Sequence, residues 1–216
     1  MRITNGVPYF LRAGAAALAL TAALLAGGTS ARADVIDEWS TIAVPPPPAL
    51  KPAALDAKTT ALLMLDFLPP NCGAAPRCLA TLAKVRVLLD AARAAHALVV
   101  YSEFPGVPMS AILAPVAPLG GEPNVATIAD KFINTNLDQI LKDHGIKTVV
   151  VVGAAANGAV LYTGSDAAMR GYKVVVPVDG MSLNSPFAEL YSALQLVTAP
   201  TVGQNVTLTR TGMVTF

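Results

Sequence analysis

Four short, unbroken apolar runs dominate this sequence: "TTALLMLDF", "ALVVYSEF", "IKTVVVVG" and "YKVVVPVDG". A strand with one wet face alternates apolar and polar residues, so continuous runs of this length predict strands buried on both faces. Parallel strands covered by helices on each side meet that requirement. The segments between the runs supply those helices. "RCLATLAKVRVLLDAARAAH" places Leu79, Leu82, Val85, Leu88 and Leu89 on one stripe. "TNLDQILKDHG" offers Thr135 or Asn136 as an N-cap and Gly145 as a stop, and "GAVLYTGSDAAMRG" and "SPFAELYSALQLVTAP" continue the rhythm. "VTLTRTGMVTF" ends the chain as a strand or tail. The alternation predicts an α/β fold with a mainly parallel sheet and helices on both faces.

Residues 1–33 stand apart from this pattern. Arg2 and Arg12 precede the apolar run "AGAAALALTAALLAGG", and "ARA" precedes Asp34, a small-x-small cleavage site. The segment reads as a secretory signal peptide and predicts an exported, periplasmic protein. Residues 34–57, with "AVPPPPALKPAAL", read as a proline-rich arm, because successive prolines lack amide donors and favour an extended chain. Residues 58–216 then suit a single domain. Fifteen Lys and Arg against fourteen Asp and Glu, with no basic cluster after the leader, leave no electrostatic footprint for nucleic acid. The expected partner is a small molecule. Cys72 and Cys78, the only cysteines, lie in the loop "NCGAAPRC". In an oxidising compartment such a pair reads most simply as a disulfide; the alternative, a reactive thiol, needs a free exposed sulfur.

Three charged residues fall where chemistry is expected. Asp66 ends the first apolar run, at the mouth of the crevice where open α/β sheets bind ligands, among neighbours that raise a carboxyl pKa. Glu103 ends the next run and offers a second carboxylate for sharing a proton or orienting a water. Lys131, before a helix, offers a positive charge for a carboxylate or an oxyanion. The turn after "TVVVVG" has the geometry of a strand–turn–helix site, yet presents only Ala154, Ala155, Ala156, Asn157, Gly158 and Ala159. G-x-S-x-G, G-x-G-x-x-G and the phosphate-loop pattern are all absent, and no His or Cys spacing suits a metal. Neither a metal nor an organic cofactor is expected.

From about Lys58 to Asp179 the chain resembles the isochorismatase-like hydrolases, the cysteine hydrolase group that includes nicotinamidases. The resemblance lies in "ALLMLD", in "FINTNLDQILKDHGIKTVVVVG" and in "GAAANGAVLYTGSDAAMRGYKVVVPVDG". It implies a doubly wound, Rossmann-like single domain, a tendency to form homo-oligomers, and a triad of Asp, Lys and Cys. Asp66 matches the aspartate and Lys131 the lysine, although the usual lysine position is occupied by Ala126. The cysteine position is Ala159. A non-proline cis peptide whose amides form an oxyanion hole is implied near Ala154 to Ala156. The turn thus resembles a nucleophile elbow without its nucleophile. Isochorismatases proper also lack the cysteine and are implied to use the Asp as proton donor, so a thiol-independent hydrolase is the expectation, with a disarmed binding or scaffold protein as the alternative. Leu68 replaces a commonly occurring glutamine, which disfavours a dianionic substrate because polar substrate groups would be left unpaired.

Overall fold

A computed structural model describes residues 34–216; the leader expected over 1–33 lies outside the described residues. The chain divides at Pro45/Pro46 into two units. The described part of the first holds α1 (Val35–Glu38), capped by the Asp34 side chain, and one further helical turn over Trp39–Thr41. The second unit contains the strands β1 (Ala53–Ala54), β2 (Thr60–Leu65), β3 (Leu98–Glu103), β4 (Asn124–Ala126), β5 (Thr148–Ala154), β6 (Lys173–Pro177), β7 (Met181–Ser182), β8 (Val206–Thr209) and β9 (Val214–Thr215). Its helices are α2 (Pro76–Leu79), α3 (Leu82–Ala94), α4 (Leu137–Asp143), α5 (Leu161–Met169) and α6 (Pro186–Thr198). Among the described residues no helix is long and apolar enough to cross a membrane.

The main sheet runs β4-β3-β2-β5-β6-β8, with β7 paired to the end of β5, and every pairing is parallel. All six residues of β2 are buried, as are six of the seven in β5, which is why these strands read as continuous apolar runs. Successive side chains serve opposite layers. Leu63, Leu65, Val149 and Val151 pack with residues of α4, α5 and α6, while Leu62, Met64, Val150 and Val152 pack with α3. From β2 the chain moves outward through β3 and β4, then returns to the other side of β2 to form β5. The reversal puts the ligand crevice of an open α/β sheet beyond the carboxyl ends of β2 and β5, where Asp66 and Ala154 lie.

Three local features differ from the pattern read in the sequence. The predicted helix over 77–96 is two helices, because Thr81 turns its hydroxyl back onto the Cys78 carbonyl (2.8 Å). Leu79 therefore leaves the stripe and is exposed. The proline-rich segment 105–123 leads into β4, an edge strand of three residues too short to carry a periodicity. Part of the expected arm belongs to the domain: Lys51 donates its N–H to Leu208, and β1 pairs with β9.

Candidate active site

Asp66 is the first residue beyond β2, with φ +53°, a left-handed conformation that aspartate tolerates better than most residues. Its side chain is 1% exposed. Oδ1 accepts from the Ser102 hydroxyl at 2.7 Å, and Oδ2 lies 2.8 Å from Lys131 Nζ. Lys131 is 0% exposed, and its ammonium also donates to the carbonyls of Thr127 (3.1 Å) and Ile128. All three N–H bonds of the ammonium are thereby used. The Phe104 ring lies beneath it, 5.4 Å from Nζ. Thr163 accepts the Lys131 backbone N–H at 3.1 Å, and the Thr135 hydroxyl donates to the Lys131 carbonyl, so both sides of the residue are fixed. The structure therefore brings Lys131 to Asp66, while Ala126 ends β4.

The Ala154–Ala155 peptide at the end of β5 is cis, within the span where the resemblance places it. The Ala154 carbonyl is held by Asn71 Nδ2 at 3.2 Å. Ala156–Val160 then forms one wide helical turn leading into α5, in which Ala156 and Ala159 are buried in the same core layer as Leu65 and Phe132. Asn157, counted among the turn's candidate residues, is exposed. Gly153 precedes the turn with φ +149°, and a Cβ there would stand 2.2 Å from the Leu65 carbonyl oxygen, so only glycine lets β5 lie against β2 just before Asp66. Cys72 and Cys78 are disulfide-bonded, which leaves the chain without a thiol.

Glu103 lies at the end of β3, 4% exposed. Its Oε1 accepts from Asn124 Nδ2 and its Oε2 has no hydrogen-bond partner, so Glu103 is bonded to the β4 edge rather than to Asp66. Burial raises the Glu103 carboxyl above its usual range; Asn124 opposes the shift and the charge of Asp66 adds to it. Burial likewise raises Asp66, against the opposing pull of Lys131 and Ser102. Burial also raises Asp130. Ser102, Thr127, Thr163 and Phe104 escaped the sequence reading. Of these only Ser102 had a signal, its place one residue before Glu103 at a strand end.

These three raised carboxyls set the sign of a pH effect. A carboxyl with a higher pKa folded than unfolded holds more protons in the native state, so stability falls as pH rises through the window between the two values. The window opens at the ordinary carboxyl pKa, about 4. The urea midpoint is therefore expected to be higher near pH 4.5 than at pH 7.5, with a shallower pH slope in Glu103→Gln. A midpoint that rises steadily over this range refutes the assignment.

A buried aspartate–lysine pair stands at the crevice of a parallel α/β sheet, beside a cis-peptide turn. Residues 60–207 match the Isochorismatase domain family, and the chain belongs to that family, whose members are hydrolases. No curated protein matches the sequence. Solved structures agree on the fold. An isochorismatase family protein from Desulfovibrio vulgaris is 23% identical, with TM-score 0.63, covering 71% of this chain and 95% of its own. One from Burkholderia thailandensis is 22% identical, with TM-score 0.64 and coverages of 76% and 97%. N-carbamoylsarcosine amidase from Thermoplasma acidophilum is 25% identical, with TM-score 0.58 and coverages of 71% and 96%. Among the described residues no group of three or more His, Cys, Asp or Glu side chains is arranged to hold a metal.

Proposed function

We propose that this protein is an exported, periplasmic hydrolase of a small molecule that works without a thiol. The observation that carries the reading is the intact Asp66–Lys131 pair, 2.8 Å apart at the strand end beside the cis turn. Asp66 takes a proton from the attacking water and returns it to the leaving atom, a role suited to a carboxyl whose pKa burial has raised. Lys131 fixes the carboxylate, Glu103 adds a second buried carboxyl nearby, and backbone amides around Ala155 and Ala159 face the developing anion. The substrate is not a dianion: Lys131 already spends its three N–H bonds on Asp66, Thr127 and Ile128, and Leu68 is apolar. The exposed apolar side chains Ile128, Ile133, Tyr162 and Met169 border one surface hollow and support a homo-oligomer, which sedimentation of the purified chain tests.

The test is hydrolysis of small amides, esters and enol ethers by the wild type, Asp66→Asn and Ala159→Cys. The expected result is wild-type turnover that falls by about 10²–10⁴ in Asp66→Asn, the usual worth of general acid–base catalysis. One observation favours a second reading. Asp66 and Lys131 are fully paired and buried, and the turn beside them offers only the buried methyl of Ala159, which suits a disarmed protein that binds a ligand. A silent wild type with an active Ala159→Cys variant selects that reading and rejects the first.

A further inference from the structure

Among the described residues, a single side chain bonds the backbone of the turn from Ala154 to Ala159. Asn71 Nδ2 donates to the Ala154 carbonyl at 3.2 Å, across 83 positions of sequence. Inside the turn the Ala155 carbonyl accepts the N–H groups of Gly158 (3.1 Å) and Val160 (3.2 Å), so the turn supplies its own curvature. Its alignment with the end of β2 is a separate matter, and there Asn71 is the side chain that bridges the two.

Asn71 is itself fixed on both sides. Toward Asp66, the Leu68 N–H donates to the Asp66 carbonyl at 2.7 Å, and the Leu68 carbonyl accepts from the N–H groups of Asn71 (3.1 Å) and Cys72 (2.8 Å). Pro69 and Pro70 lie between, each with its φ set by its ring. On the other side Cys72 is bonded to Cys78 and is 0% exposed. Arg77, inside the closed loop, is ion-paired with Glu189 of α6, and Glu189 accepts the Leu183 N–H at 2.9 Å just past β7. β7 in turn pairs with β5 in the register Ala154↔Ser182. The disulfide loop thus reaches Ala154 by two routes, through the Asn71 amide and through α6 and β7. A side chain ordered beforehand loses less entropy in making its contact.

We propose that Asn71 is a positioning residue: it aligns the amides of the turn with Asp66, and the Cys72–Cys78 disulfide keeps it in place. The hold on the backbone stands without any reaction, whereas its effect on rate rests on the hydrolase reading. Backbone donors serve a developing anion only when they are preset, and small displacements of reacting groups cost large factors in rate.

The test follows the backbone amide signals of Ala155, Ala156 and Ala159 by NMR in the full, oxidised chain. Each variant is compared with the wild type at the same pH, which removes the titration of Asp66, Glu103 and Asp130. Asn71→Ala is expected to displace the signals at pH 7.5 and at pH 4.5. Asn71→Asp, equal in size, is expected to displace them at pH 7.5, where a carboxylate has no proton to donate, and to restore them at pH 4.5, where the carboxyl O–H donates to Ala154. No charged side chain lines the hollow between Asn71 and the turn, so that return belongs to the introduced carboxyl. Cys72→Ala combined with Cys78→Ala should displace the same signals, and adding Asn71→Ala should move them little further. Asn71 is half-buried, so its variants keep the test open if the cysteine variant does not fold. With a substrate from the hydrolysis screen, Asn71→Ala should lower kcat about ten- to hundredfold with KM little changed. Unmoved signals in Asn71→Ala, no return in Asn71→Asp, wild-type signals in the cysteine variant, or an unchanged kcat beside displaced signals would each overturn the inference. A wild type that turns over nothing rejects the hydrolase reading alone, since the amide signals still decide the positioning.

Discussion

Lys131→Met is expected to lower stability by about 3–5 kcal/mol at pH 7, the usual cost of removing one partner from a buried ion pair. The size follows from burial: Lys131 is 0% exposed and Asp66 1% exposed, so water cannot replace the lost ammonium. The carbonyls of Thr127 and Ile128 lose a donor at the same time. Methionine nearly preserves the packing volume, which isolates the charge. Two companion measurements identify the cause. The loss should shrink toward acid pH, where Asp66 becomes neutral, and Asp66→Asn combined with Lys131→Met should cost less than the two single losses added together. Urea unfolding at pH 5 and pH 7.5 reads both, and a loss independent of pH assigns the effect to packing alone.

Gly153→Ala is expected to exceed 4 kcal/mol and to yield mostly insoluble chain, the scale at which a named steric mechanism is required. The added Cβ would stand 2.2 Å from the Leu65 carbonyl oxygen and 2.6 Å from Leu65 Cβ, at a φ of +149° that L side chains rarely adopt. Leu65 and Gly153 are direct partners in the β2–β5 register, in the middle of the sheet, so neither strand can yield without parting the core. Leu65 also precedes Asp66, so any relief displaces the carboxylate from Lys131. Gly212→Ala, whose added Cβ meets nothing within 4 Å, is the control and should stay within about 0.5 kcal/mol. Soluble, wild-type-like Gly153→Ala would refute the steric account.

The legible part of the site was the part tied to strand ends. Asp66 and Glu103 terminate apolar runs, and a parallel sheet places such residues at one edge. Lys131 was legible only as a candidate, because its side chain reaches Asp66 across 65 positions of sequence through a loop that carries no periodicity. The hold of Asn71 on the turn gave no warning at all. It joins residues 71 and 154, and their approach is made by the disulfide and the Arg77–Glu189 pair.

By itself the sequence determined the layered α/β architecture and the carboxylate at the crevice. These follow from local rules, since strand burial and strand ends are written in consecutive residues. Only the tertiary structure decided that the Asp66 charge is paired and sealed, that Glu103 turns to Asn124, and that Asn71 holds the Ala154 carbonyl. Burial and pairing depend on side chains far apart in the chain, and folding alone brings them within hydrogen-bond reach.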